Sequence, residues 1–506
     1  MLTATARTRR GVGHTRRWAA LVVLMLPVLL VAVDNTVLSF ALPPISEALR
    51  PSGNQLLWIV DVYPLVLAGL LVPMGSLGDR IGRRRLLLVG GTGFTVVSAA
   101  AAFAPDAAWL IAARAGMGLF GAMLMPSTLS LIRNIFTDPT ERRTAIAIWA
   151  AGFSGGAALG PIVGGFLLEH FFWGSVFLLA VPVMVPLLVL GPLLVPESRD
   201  PRPGPIDPLS ILLVMLTMTP LVYGIKTFST HGVGLESILA VLVSLAAGIA
   251  FVRRQLRGRE PMLDVRLFAN PVFSGAVSAN LLSVFSLVGF LYFVSQHLQL
   301  VSGRSPMEAG FFLVPGLALT IMAGLAVVPI VRRVRPAYVV ASGLLLNVAG
   351  FAVIGFAGPL GSDLGLIIAF MVLGAGIGAA ETISNDLILS AVPAHKAGAA
   401  SAISETAYET GAVLGTAVLG SILNAAYRAH VEIPAGVPGD AAESARETLG
   451  GAAQVSGGLP AELAGPLMDS ARHAFDSGVA ITSGIGVVLM LAATVIALRT
   501  LRSARS

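Results

Sequence analysis

Asp34 (VAVDNTVLSFALPP), Asp61 (WIVDVYPLVLAG) and Arg114 (LIAARAGMG) each interrupt a long apolar run, as do Glu405 and Glu409 (SETAYET) and Glu381 and Asp386 (ETISNDLIL) further along. An ionisable group at a bilayer centre costs at least about 2.5–3.5 kcal/mol, so such residues mark a pathway or a site by default. At 1.5 Å per residue, Asp34 lies roughly 24 Å up its span, while Asp61 and Arg114 lie roughly 9 and 10 Å in from the outer ends of theirs. The three share one depth, and one arginine cannot fully neutralise two carboxylates. Glu405 and Glu409 are i,i+4 partners on one helix face, with Tyr408 between them as an aromatic surface for a cation. Glu409 falls near the midplane, whereas Asp386 is close enough to a span end to reach the surface. All seven histidines fall in loops, tails or near span ends, so the deep protonatable groups are carboxylates. Low dielectric favours the neutral acid and a nearby cation favours the charged one. A buried carboxylate can therefore hold a proton or a cationic ligand, each tending to expel the other. That is the chemistry of proton-coupled exchange.

The elements that position these groups follow from composition. Of 506 residues, 55% are hydrophobic and 12% charged, against roughly 25% charged in soluble domains. A bilayer core needs roughly 20 apolar residues per helix. Fourteen such spans are expected, near 18–43, 55–75, 86–104, 107–134, 144–168, 172–194, 209–228, 234–252, 271–300, 308–331, 337–357, 364–390, 398–425 and 478–499. The predicted fold class is an all-α membrane protein. The first span is too long for a signal-peptide core and runs straight into the second, so it is read as retained. Cysteine is absent, which removes disulfides and thiolate chemistry.

A net charge of +6 could suggest nucleic acid, but its placement excludes that partner. Alternate loops and both tails hold Arg7, Arg9, Arg10, Arg80, Arg83–Arg85, Arg142, Arg143, Arg202, Arg253, Arg259, Arg332, Lys396 and Arg505, while the opposite loops hold only Arg50, Arg304, Arg428, Arg446 and Arg472. This is a positive-inside pattern with both termini cytoplasmic. Lys226 falls near a span end.

An even number of spans fits two six-helix halves around a spare pair. GLLVPMGSLGDRIGRRRLLLVGG and GLAVVPIVRRVRPAYVVASG share a Gly-apolar-Pro approach to a basic loop, and AGMGLFGAMLMPSTLSLIRN and LGAGIGAAETISNDLILSAV share a glycine ladder followed by polar residues. Such internal similarity suggests duplicated halves of like orientation. The expected organisation is a tail at 1–17, a first half at 18–195, a linker and spare pair at 196–252, a second half at 253–499 and a tail at 500–506. The spare pair carries almost no polar chemistry and is expected at the periphery. The outer loop 426–477 is long, acidic and rich in Gly, Ala and Pro; it reads as a tolerated insertion or as a lid that attracts cations. GFSGG resembles a hydrolase nucleophile elbow but lies in an apolar helix with no preceding strand. GAGIG lacks the strand–turn–helix setting of a nucleotide loop, and no metal-binding pattern is present.

Four motifs in order resemble the major facilitator superfamily, and within it the fourteen-span drug:proton antiporters, across nearly the whole chain. GSLGDRIGRRRLL is similar to the signature between the second and third helices, with Gly75, Asp79, Arg80, Gly82, Arg83 and Arg84 in register. LIAARAGMGLFGA is similar to the fourth-helix motif and places its arginine at Arg114; GAALGPIVGG resembles the antiporter motif, with Gly156, Gly160, Pro161, Gly164 and Gly165; VDNTVLSFALP resembles the first-helix motif. The resemblance implies two pseudo-symmetric six-helix halves with two extra helices. It implies a cytoplasmic latch formed by Asp79 and the arginines, and a fifth-helix bend that keeps the path from leaking protons. Asp34, Asp61 and Glu409 would be contested by protons and drugs, and Arg114 would tune them. VRRVRP lacks the aspartate, so a second latch is not implied.

The reading is an integral inner-membrane antiporter, with no enzymatic activity, that exports lipophilic cations such as quaternary ammonium compounds, dyes and fluoroquinolones. The expected energy source is the proton gradient with no cofactor; the partners are the lipid bilayer, protons and substrate, and the protein is expected to act as a monomer. A proton-coupled importer of a metabolite or amino acid is the alternative.

Overall fold

Apolar runs in lipid must satisfy their backbone groups internally, which leaves helices for a chain without alternating strand patterns. The computed structural model describes residues 14–199, 207–258, 261–357, 363–392 and 397–504, and no strand occurs among them. Arg7, Arg9, Arg10, Arg202, Arg259, Lys396 and Arg505 lie outside the described residues. The first group of helices is α1 (His14–Leu49), α2 (Gly53–Ile81), α3 (Arg83–Ala102), α4 (Ala107–Ile135), α5 (Pro139–His170) and the broken pair α6 (Ser175–Leu178) and α7 (Ala180–Leu194). Next come α8 (Pro208–His231) and α9 (Leu235–Arg257). The last group is α10 (Pro271–Gln296), α11 (Pro306–Val331), α12 (Pro336–Ala357), α13 (Asp363–Ser390), α14 (Ala397–Gly415), α15 (Ser421–His430), the short α16 (Gly439–Glu447) and α17 (Leu449–Gly457), and α18 (Ala461–Thr500).

By length and composition, 13 helical segments among the described residues are able to cross a membrane. The helix α5, with 32 residues, occupies the position of the remaining expected span. Helix starts follow local chemistry. Ser52 and Gln55 form a capping box on α2, Ser305 and Glu308 form one on α11, and Asp106 caps α4, each satisfying orphan N–H groups. Proline opens α8, α10 and α11, where its missing N–H costs nothing.

Buried apolar side chains fall into two main clusters. One is built from α1–α7; the other is built from α10–α18 and takes in Phe40, Leu42, Leu56 and Leu57 from α1 and α2. Helices within each cluster approach closely through small residues. A side chain at Gly376 would strike Gly343 O at 2.4 Å, and one at Gly378 would strike Thr320 O at 2.0 Å, so GAGIG is a packing element.

Two expectations need correction. Segment 426–477 is not irregular: α15 runs to His430, α16 and α17 follow, and α18 begins at Ala461, well before the expected span. Nor is the pair α8–α9 free of polar chemistry. Many α9 side chains are exposed apolar groups suited to lipid, but Lys226 on α8 is fully buried. Ser229 Oγ of α8 also donates to Ser421 O at 2.8 Å, which ties α8 to the last group.

Candidate functional site

Asp34 and Arg114 meet from α1 and α4, with Arg114 NH1 2.7 Å from Asp34 Oδ2 and side-chain exposures of 2% and 8%. The guanidinium also donates to Ile59 O at 3.2 Å and lies 4.5 Å from the centre of the Tyr63 ring. Arg114 does not serve Asp61, as the shared depth had suggested. Asp61 Oδ2 is instead 2.9 Å from Lys226 Nζ of α8, whose ammonium lies 4.0 Å from the Trp58 ring centre. The physical reason for the split is that one guanidinium cannot neutralise two buried carboxylates, and a carboxylate left charged in a low-dielectric interior needs a cation beside it. Lys226 escaped sequence reading because a lysine near a span end ordinarily extends to the surface. The available signal was that it is a lone cation in an otherwise apolar α8.

The acids of the last group are arranged differently. Glu409 is 1% exposed, and the Asn35 side chain of α1 lies beside it, across the two groups of helices. Glu405 is within electrostatic reach of both Glu409 and Glu381. Tyr408 lies within reach of all three and packs edge-on against Phe153 of α5, centroids 5.8 Å apart. No described basic side chain forms an ion pair with Glu381, Glu405 or Glu409. Beside them Asn280 donates to Ser404 Oγ at 3.0 Å and to Asn385 Oδ1 at 3.3 Å, a polar knot that sequence reading missed. Asp386 is exposed and is not brought into this group.

The glycine motif sets how the helix groups meet. A side chain at Gly156 would approach Ala32 Cβ to 2.8 Å, one at Gly160 would reach Thr36 Oγ1 at 1.8 Å, and one at Gly164 would reach Val37 Cγ2 at 2.4 Å. This ridge therefore seats α5 on α1. Beyond it, Gly165 lies against Met307 of α11, and Gly310 of α11 lies against Pro161 O. Ser295 Oγ donates to Ser39 O at 2.6 Å, and Gln299 Nε2 donates to Phe40 O at 3.1 Å. Segment 426–477 joins the same seam: Gly53 N donates to Glu447 Oε2 at 3.1 Å. These polar contacts between described residues of the two groups run from mid-span to the face opposite residues 14 and 500.

At the other face, Arg83 Nε donates to Asp79 Oδ1 at 2.8 Å, and Arg83 NH1 donates to Ser198 Oγ at 3.2 Å. Arg84 N donates to Glu197 Oε1 at 3.0 Å. Gly82 turns between α2 and α3 at φ 115°, where a side chain would strike the Glu197 carboxyl at 2.7 Å. Gly75 packs beside Pro126, and Arg80 is exposed at the end of α2. The arginine cluster thus closes onto the segment after α7, and Glu197 was its unrecognised partner.

Residues 24–416 match the family model described as Major Facilitator Superfamily. The chain is 57% identical over 482 residues to the multidrug efflux pump LfrA of Mycolicibacterium smegmatis, covering 95% of this chain and 96% of that one. It is 39% identical over 484 residues to the methyl viologen resistance protein SmvA of Salmonella typhimurium, covering 94% and 97%. Among solved structures, a bacterial homologue of the human lysosomal transporter Spinster, in an inward-facing unoccupied conformation, aligns with a TM-score of 0.69 at 18% identity, covering 98% and 99%.

Proposed function

Because the chain belongs to the major facilitator superfamily, and so is a multi-pass membrane transporter rather than an enzyme, we propose that it exports lipophilic cations in exchange for protons. The names of its relatives support drugs as cargo, and methyl viologen is itself an organic cation. The observation that carries the reading is the contrast among the acids within the helix bundle, of which Asp34, Asp61 and Glu409 are buried and Glu381 and Glu405 partly so. Asp34 and Asp61 each hold a basic side chain, whereas Glu381, Glu405 and Glu409 lie within electrostatic reach of Tyr408 and form no ion pair with a described basic side chain. A carboxyl group in a low-dielectric interior is tolerated with a proton on it or a positive charge beside it, and is costly with neither. A lipophilic cation between Tyr408 and these glutamates would supply that charge, with the ring face adding cation–π attraction. Its departure would leave the position to a proton.

The placement of basic residues supports a cytoplasmic location for residues 14 and 500, in a bacterial cytoplasmic membrane. The site would then be offered alternately to each side as the two helix groups rock about it. The test is ethidium export in energised everted vesicles carrying equal amounts of wild type, Glu409→Gln, Glu405→Gln or Glu381→Gln. Export is expected to fall at least about tenfold in Glu409→Gln, the effect of losing about 1.4 kcal/mol. Unchanged export in all three variants would remove the glutamates from the mechanism.

A further inference from the structure

The cage around Lys226 has the chemistry of a cation-binding site. A carboxylate oxygen lies 2.9 Å from the ammonium and the face of Trp58 lies 4.0 Å away. A carboxylate with an aromatic face is how proteins recognise organic ammonium groups. Thr416, in the π-helical segment Thr416–Gly420 that joins α14 to α15, lies beside Asp61. Leu65, Val222, Val413 and Ala417 form an apolar cluster alongside, with Trp58 packed on it. The recognising groups come from α2 and from the π-helical segment, one in each group of helices. The ammonium alone comes from α8, which belongs to neither.

We propose that Trp58, Asp61 and Thr416 form a second cation subsite that this chain fills with its own Lys226, and that the lysine thereby decides which charged compounds are accepted. With Lys226 in place, Asp61 has its basic partner, and Glu381, Glu405 and Glu409 are left without a described one. With it removed, Asp61 requires another positive charge, and a compound with two cationic centres gains a second anchor. The effect on selectivity rests on the cation-export reading above; the existence of the subsite does not.

The subsite is tested on purified full-length protein with ethylammonium, which reproduces the end of the lysine side chain. Lys226→Ala should bind ethylammonium saturably and be thermally stabilised by it. Wild type and the Asp61→Asn/Lys226→Ala double variant should not respond. A folded Lys226→Ala protein with no saturable response would overturn the proposal. If that variant is lost during purification, expression with ethylammonium decides: recovery only with the amine supports the subsite, and no recovery with it contradicts it. In proteoliposomes, Lys226→Ala should raise export of the dication methyl viologen relative to the monocation ethidium by about tenfold, equivalent to about 1.4 kcal/mol. An unchanged ratio alongside ethylammonium binding would overturn the selectivity role and leave the subsite standing. Absence of export in wild type, with ethylammonium binding intact in Lys226→Ala, would count against the export reading alone.

Discussion

Asp34 and Arg114 stabilise one another at a depth where neither charge would be tolerated alone, and the tightness of their 2.7 Å contact makes the pair a sharp subject for substitution. Arg114→Met leaves a buried carboxylate uncompensated and should destabilise the protein by about 3–5 kcal/mol. The Asp34→Asn/Arg114→Met double variant removes both charges and should recover much of that loss. Thermal denaturation of wild type, Asp34→Asn, Arg114→Met and the double variant in one detergent checks this, and strictly additive losses would show that the two groups do not act as a pair. The acids themselves were legible in the sequence, because a carboxyl group in an apolar run has few innocuous explanations. Their partners were less so. Lys226 and Glu197 lie far along the chain from Asp61 and Arg84, and only the packing of α8 and the turn after α7 brings them near. Asn35 and Tyr63 flank the recognised acids, yet nothing in their types distinguished them from ordinary polar and aromatic lining.

At the scale of the helix, two neighbouring glycines separate packing from propensity. Gly155 has nothing within 4 Å of where a side chain would begin, whereas at Gly156 that atom would lie 2.8 Å from Ala32 Cβ. Both substitutions to alanine improve helix propensity by about 1 kcal/mol, so any difference reports the α1–α5 contact. Gly155→Ala should preserve transport and stability; Gly156→Ala should force the helices apart, costing about 1–3 kcal/mol and lowering the export rate. Equal behaviour of the two, by export and denaturation, would dismiss the ridge as a constraint. The turn into α8 allows a separate check by pH. Hydrogen bonds from Arg254 hold the Asp207 carboxyl well below the usual carboxylate range. A folded-state value below the unfolded one contributes stability that is fully present above the unfolded value, near 3.9, and is lost as pH falls toward the folded one. The Tm advantage of wild type over Asp207→Asn should thus be constant above about pH 5 and shrink below about pH 4; an advantage that widens in acid would contradict the pairing. The membrane spans were read from apolar run length, which is a bulk property. Helices α16 and α17 were not, because their Gly- and Ala-rich sequence gains its order by packing, with Tyr427 donating to Ala445 O at 2.7 Å.

Across the whole molecule, the two groups of helices meet from mid-span, where Asn35 lies beside Glu409, to the face opposite residues 14 and 500, where hydrogen bonds join Ser39 with Ser295 and Gly53 with Glu447. If that seam must open during each cycle, locking it should stop transport. The chain has no cysteine, so Ser39→Cys/Ser295→Cys offers a clean background for a short reducible cross-linker. Cross-linking should abolish dye export and reduction should restore it, while undiminished export by the cross-linked protein would mean that the seam need not open. The central claim is that buried glutamates exchange a proton for a foreign cation. Its most direct test is purified protein in proteoliposomes, with an imposed pH gradient, external ethidium, and dye and proton movement recorded together. Dye should accumulate on the acidic side as protons leave it, and both fluxes should disappear in Glu409→Gln. Equal dye movement with and without the gradient, unaccompanied by protons, would contradict the account.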